Sequence, residues 1–176
     1  MFVHEIPEKA RRPGFEPDDV DKIVQMKRVK LTNHMPFGYS NESLARKLGI
    51  RQGQNLAVLN PPQGYDVVLG NLPAGVTVMH ELRGRMDFIQ FFAKDLKTLE
   101  RRFRASKEKL KQEGMIWVSW PKASSGTRTN LSEHIVREVG LRNGLVDVKV
   151  CAVDRTWSAL KFVIPLRNRR STSRKS

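Results

Sequence analysis

The sequence predicts a small, Rossmann-like, doubly wound α/β domain with a mostly parallel sheet and a C-terminal antiparallel hairpin. Three observations predict it. Strand-like and helix-like stretches alternate from Leu56 to about Arg142. Met115–Trp120 is apolar almost throughout, as a strand covered on both faces must be. The last two strand-like runs are separated only by Asp154–Ser158, a link short enough to require antiparallel neighbours.

Each element has its own local signal. Ser40 or Asn41 can cap a short helix through Leu48, which Gly49 stops. Leu56–Asn60 is a short apolar strand ended by Pro61-Pro62. Gly64–Leu72 reads as one or two helical turns, and Pro73-Ala74-Gly75 as a turn. Val76–Leu82 and Met86–Phe92 follow as strands. Asp95–Gln112 is the clearest helix, with Leu96, Leu99, Phe103 and Leu110 on one stripe. Gly114 stands where a helix C-terminus favours glycine. After the Met115–Trp120 strand and a loop over Pro121–Thr129, Asn130-Leu131-Ser132-Glu133 has capping-box spacing, with Asn in place of Ser or Thr. The helix it opens runs to about Arg142 and ends at Asn143-Gly144. Leu145–Val153 and Ala159–Leu166 form the hairpin.

A chain of 176 residues fits one domain with extensions. Residues 1–34 mix charges and prolines with few large apolar side chains and read as a poorly ordered arm, with a short helical pattern at Asp19–Val29. Translation can also begin at Met35, which would place the arm upstream of the true start. The α/β domain spans 35–166, and 167–176 is a basic, disordered tail. A single cysteine, Cys151, precludes an intramolecular disulfide and fits a reducing compartment. There is no apolar run of about 18 residues for a membrane span, and the N-terminus lacks the apolar core of a secretory signal. The expected location is cytoplasmic, with no membrane partner.

The net charge is +14, with a pI near 10.4. Residues 1–34 contribute seven basic and six acidic side chains, and 167–176 five basic and none acidic. Such a balance suits polyanions, nucleic acid among them, through counterion release. It equally suits solubility and a solvated tail.

The order of a parallel four-strand core, a final helix and a closing hairpin resembles that of class I methyltransferase domains, and Leu110–Pro121 is similar to their helix–turn–strand segment. Gly114–Lys122 and Trp157–Val163, with Gly140-Leu141 and Val146–Val150 between them, resemble the family called domain of unknown function 3052. That resemblance covers much of 38–166 and implies an α/β fold. The family has no assigned activity, so it implies no catalytic residue.

The methyltransferase resemblance implies S-adenosylmethionine as a cofactor, which needs a Gly-x-Gly turn after the first strand. Here the turn is Asn60-Pro61-Pro62-Gln63-Gly64-Tyr65, and its prolines remove two backbone donors. Glu81, near the end of the second strand, stands where an acidic residue would hold ribose hydroxyls. Asn60-Pro61-Pro62 resembles the start of the Asn-Pro-Pro-aromatic motif of amino-group methyltransferases, but Gln63 occupies the aromatic position and the motif follows the wrong strand. A stiff turn explains it better. A second constellation, Trp120, Lys122, Ser124 and Ser125, with Gly126, Thr127 and Arg128 behind it, should project beyond the sheet's carboxyl end, where an anion can sit at a helix N-terminus. The same residues are ordinary loop chemistry. Trp157 packs on the sheet or stacks outward, and Lys161 faces away from Leu160 and Phe162, at an edge. Lys97, Arg101 and Arg104 on the long helix, with Arg169 and Arg170 in the tail, form a candidate nucleic-acid surface; interspersed acids also suit a solvated face. The four histidines show no metal-ligand spacing, and no metal is expected.

The leading expectation is a diverged, non-catalytic domain that binds a small anionic ligand or a macromolecular partner through Asn60, Gln63, Gly64, Tyr65, Trp120, Lys122 and Ser124. The alternatives are a methyltransferase with an atypical cofactor loop and a nucleic-acid-binding accessory protein.

Overall fold

Two apolar sets that alternate along the same strands decide the architecture, because period-two spacing sends them to opposite faces of one sheet. A computed structural model describes residues 43–169. The Asp19–Val29 pattern, the caps Ser40 and Asn41, the start at Met35 and the tail from Arg170 lie outside them. Helix α1 (Leu44–Leu48) is capped by Ser43 and ended by Gly49 at φ 81°. Strand β1 (Asn55–Leu59), helix α2 (Tyr65–Leu69), and strands β2 (Thr77–Met79) and β3 (Met86–Phe92) follow. Helix α3 (Leu96–Lys109) leads directly into β4 (Leu110–Pro121), then a 3-10 turn at Ala123–Ser125 and helix α4 (Glu133–Arg142). Strands β5 (Val146–Ala152) and β6 (Trp157–Val163) and a 3-10 turn at Leu166–Asn168 complete the chain described.

The six strands lie in the order β2-β1-β3-β4-β6-β5. β2, β1, β3 and β4 are parallel neighbours, and β6 runs antiparallel to both β4 and β5. The doubly wound prediction therefore holds. On one face α3 and α4 bury Leu99, Phe103, Val136 and Val139 against Ile89, Phe91, Ile116 and Val118. Phe103 meets Phe91 and Phe162 edge-on, with centroids 6.2 and 5.2 Å away. On the other face α1 and α2 bury Leu48, Tyr65 and Leu69 against Phe88, Phe92 and Trp117. The Trp117 indole donates to the Leu48 carbonyl at 3.0 Å, which fixes α1 on the sheet. Among the described residues, no helix is long and apolar enough to cross a membrane.

Four local expectations need correction. The long helix stops at Lys109, not Gln112, and Leu110 opens β4 opposite Met86. Tertiary contacts override the helix-forming run here. The Arg85 guanidinium donates to the Glu108 and Leu110 carbonyls, and Lys111 Nζ binds both carboxylate oxygens of Asp87 at 2.8 Å. Burial alone would raise the Asp87 pKa, but Lys111 and the Asn55 N–H outweigh it and hold the carboxyl below its usual range. Gly114 is consequently a strand residue. An added Cβ there would meet Leu110 Cδ1 at 2.8 Å and the Met86 and Asp87 carbonyl oxygens at 3.0 Å, so close strand approach is what demands glycine.

The helix α4 cap is Ser132, which accepts from the Ile135 N–H, whereas Asn130 Oδ1 crosses to accept from the Leu96 N–H at 3.1 Å. Two polar residues compete for one cap, and the one that can tie α3 to the loop is drawn away. Finally, Lys161 does face away from Leu160 and Phe162, but β6 is interior and β5 is the sheet edge.

Candidate functional site

The parallel strands end together at Leu59, Met79, Phe92 and Pro121. Trp157 joins this rim because antiparallel β6 begins opposite Pro121. From β1 the chain steps outward to β2, then returns to the other side of β1 as β3. This reversal opens a crevice beyond the carboxyl ends of β1 and β3, where ligands bind in open α/β sheets. A cleft of about 310 Å³ lies there, bounded by Asn60, Pro61, Ala93, Lys94, Asp95 and Trp157. A second cleft, of about 450 Å³, lies against the same two prolines and is lined by Val58, Leu69, Leu72, Val78 and His80.

The turn between the clefts is strained. Asn60 has φ 52°, and among the described residues no other non-glycine side chain sits at positive φ. Asparagine tolerates this region because its side chain is short and polar. Here its Oδ1 also accepts from Arg102 Nη2 of α3 at 3.1 Å, which anchors the turn. Pro61 and Pro62 offer no N–H. Gln63 is exposed, and Gly64 adopts φ 73° with nothing within 4 Å of an added Cβ. Gly64 therefore shapes the entry to α2 and leaves open space above it.

Beneath the turn lies a fully bonded floor. The Tyr65 hydroxyl donates to Gln90 Oε1 at 2.5 Å, and Gln90 Nε2 donates to Ser119 Oγ at 3.0 Å. All three residues are buried. Burial raises the Tyr65 pKa, only partly offset by the bond to Gln90, so the phenol stays protonated. Tyr65 also meets Phe92 edge-on, and Phe92 meets Trp157. Tyr65 thus supports the crevice from below, with its polar atom already committed.

The other predicted residues separate into two groups. Glu81 lies just beyond β2, exposed and paired with Arg83 at 2.6 Å. It stands on the same rim as Asn60, Gln63 and Gly64. The loop after β4 turns inward. Trp120 is buried on the α3–α4 face. Lys122 Nζ donates to the Asp154 carbonyl. Ser125 Oγ donates to the Lys122 carbonyl at 2.7 Å and accepts from the Thr127 N–H, and Ser124 is exposed. Asp154 itself accepts from the Thr156 and Trp157 N–H groups at 2.7 Å, closing the β5–β6 turn. Lys97, Arg101 and Arg104 line a shallow hollow on α3 with Glu100 and Glu108. Arg169 Nε donates to the Ile164 carbonyl, and Arg170 lies outside the described residues. Among those residues no group of three or more His, Cys, Asp or Glu is placed to hold a metal ion.

Two rim residues escaped the sequence reading. His80 donates from Nδ1 to the Val58 carbonyl at 3.1 Å, and its ring lines the larger cleft. Lys94 is exposed at the end of β3 and borders the smaller one. An isolated His after a weak strand and a Lys before a basic helix carry no motif, so only the strand order distinguishes them.

Comparison with solved structures identifies this architecture. A precorrin-6y C5,15-methyltransferase from Geobacter metallireducens GS-15 superposes with a TM-score of 0.50 at 11% identity, covering 73% of this chain and 94% of that one. A SAM-dependent methyltransferase from Aquifex aeolicus gives 0.50 at 13% identity, covering 86% and 100%. The fold is that of the S-adenosylmethionine-dependent methyltransferases. No family model matches the chain, so the resemblance to domain of unknown function 3052 gains no support there. No curated protein matches it either. At these identities the methyltransferase likeness extends to the fold and assigns no residue a role.

Proposed function

We propose that this chain binds S-adenosylmethionine at the carboxyl end of β1, across the two clefts that flank the Asn60–Pro62 turn, as a methyltransferase with an atypical cofactor loop. The observation that carries the proposal is the left-handed Asn60 at the point where strand order reverses. Backbone strain persists where surrounding contacts enforce it, and it concentrates at ligand sites. The side chains present suit an adenosyl ligand. Val58, Leu69, Leu72 and Val78 give the larger cleft an apolar wall for a purine. The Glu81 carboxylate can accept from ribose hydroxyls by exchanging its solvent-exposed partner Arg83, an ion pair that costs little to break. Lys94 supplies a cation for the amino-acid carboxylate. What the turn lacks is donors, since neither proline has an N–H, so side chains must hold the ligand where glycine loops use backbone. Such a ligand carries an electrophilic methyl group on a sulfonium.

Isothermal titration of the protein with S-adenosylmethionine and with S-adenosylhomocysteine tests the proposal. Micromolar binding of both is expected, weakened by Lys94→Ala and Glu81→Gln; no heat at millimolar ligand would overturn it. A second reading, a diverged domain that binds a small anion without transferring a methyl group, draws on the exposed Lys94 cation at the crevice and on the loss, at Pro61 and Pro62, of the glycine turn that seats an adenosyl cofactor. It predicts heat with pyrophosphate or ADP and none with either adenosyl compound.

A further inference from the structure

On the α1 side of the sheet, away from the rim, three cations from three different segments converge. Lys149 of β5 and Lys161 of β6 are direct cross-strand partners. Like charges placed opposite each other destabilise a sheet. Arg51, from the turn after α1, adds a third charge close enough to act on Lys161. Lys161 Nζ lies 4.0 Å from where a Cβ on Gly49 would be, so the end of α1 sits beside it. Lys149 Nζ reaches only the Lys47 carbonyl, at 3.4 Å. Among the described residues no carboxylate pairs with Arg51, Lys149 or Lys161. The nearest acid on the same strand, Asp147, is engaged by Arg137 at 2.9 Å. Burial, with Arg51 and Lys149 as lesser causes, holds Lys161 below the usual lysine range.

The contrast with α3 is instructive. There Lys97, Arg101 and Arg104 share their hollow with Glu100 and Glu108, so acids are interspersed among the cations, although the helix keeps six basic to two acidic side chains. At Arg51, Lys149 and Lys161 no acid intervenes and two of the cations are fixed opposite each other across a strand pair, a local conflict of the kind that folds keep at functional sites.

The geometry points to a nucleic-acid docking surface at Arg51, Lys149 and Lys161, recognising backbone phosphates. Arg51 and Lys149 are exposed and Lys161 is half-buried, so the cluster is an open face suited to an extended polyanion. A single phosphate on exposed side chains is weakly held, whereas a polyanion gains from releasing several counterions at once. Trp117, the aromatic residue aligned with Lys161 across β4, is fully buried with its N–H committed to Leu48. It offers no stacking platform, which favours duplex backbone contact over base reading. Four strand steps along β6 separate Lys161 from Trp157 at the rim, about 13 Å at strand spacing, so this surface is distinct from the adenosyl crevice.

The test is fluorescence anisotropy of the full chain with a labelled mixed-sequence duplex of about 20 base pairs, titrated across salt concentrations. Two triple variants remove equal charge: Arg51→Gln, Lys149→Gln, Lys161→Gln, and as control Lys97→Gln, Arg101→Gln, Arg104→Gln. The first should weaken binding at least tenfold and reduce the log–log salt slope by about 2–3, while the control loses less than about threefold. Relieving like-charge repulsion should leave the first variant's melting temperature unchanged or raised, and Lys161→Met alone should show part of the same loss if the triple folds poorly. Equal losses in both triples, no binding by the unaltered protein at about 0.1 M salt, or charge-dependent binding to anionic lipid vesicles without duplex binding would overturn the assignment.

Discussion

The loops that follow β1 and β4 leave the same rim of the same sheet, yet they treat their polar groups in opposite ways. After β4, Lys122, Ser125 and Thr129 all bond to the protein itself, Thr129 Oγ1 reaching the Lys94 carbonyl at 2.7 Å. After β1 and at its neighbours, His80 and Lys94 line the two clefts, Gln63 is exposed, and Glu81 is held only by the solvent-exposed Arg83. A loop rich in Ser, Thr and Lys therefore resembles an anion site in composition while serving as a turn in fact. A loop with two prolines looks closed to ligands while its neighbours leave a crevice open. Hydrogen-bond commitment, more than residue type, separates a ligand surface from a structural one.

This contrast can be broken by substitutions of decreasing effect. Asp154→Ala removes the acceptor of two N–H bonds that close the turn facing Lys122. It should cost about 2–3 kcal/mol in denaturant melts and leave adenosyl affinity unchanged. If it abolishes binding while the fold survives, the β4 loop belongs to the site. Tyr65→Phe strips one bond from the buried Tyr65–Gln90–Ser119 chain. About 1–2 kcal/mol of stability should go with it, the cost of an unsatisfied buried acceptor, with a melting point some degrees lower. Lys94→Ala should leave melting unaltered and weaken S-adenosylhomocysteine about tenfold, close to 1.4 kcal/mol, measured by titration calorimetry. Ser124→Ala, at an exposed and uncommitted hydroxyl, should change both quantities by less than about 0.5 kcal/mol. A larger loss of affinity there than at Lys94 would invert the comparison.

The sheet was legible because its signals are long-range in pattern and local in cause. Met86–Phe92 and Met115–Trp120 are too apolar for any surface element, and the short Asp154–Ser158 link leaves β5 and β6 one arrangement. The end of α3 was not legible. Lys109, Lys111, Gln112 and Glu113 all favour helix, and only Asp87 and Arg85, more than twenty residues earlier, draw that segment into the sheet. The cap at Ser132 failed for a related reason, since Asn130 is claimed by Leu96 across the loop. The rim was half legible. Asn60, Gly64 and Glu81 follow from their place after the first two strands. His80 and Lys94 become visible only when β3 is known to lie beside β1.

The most direct measurement is a map of amide chemical-shift changes on adding S-adenosylhomocysteine to the isotope-labelled protein. Saturable changes should gather at Asn60, Gln63, Gly64, His80, Glu81, Lys94 and Asp95, with Lys122–Thr129 left quiet. Shifts concentrated in Lys122–Thr129, or none at saturating ligand, would contradict a ligand site at the carboxyl end of β1.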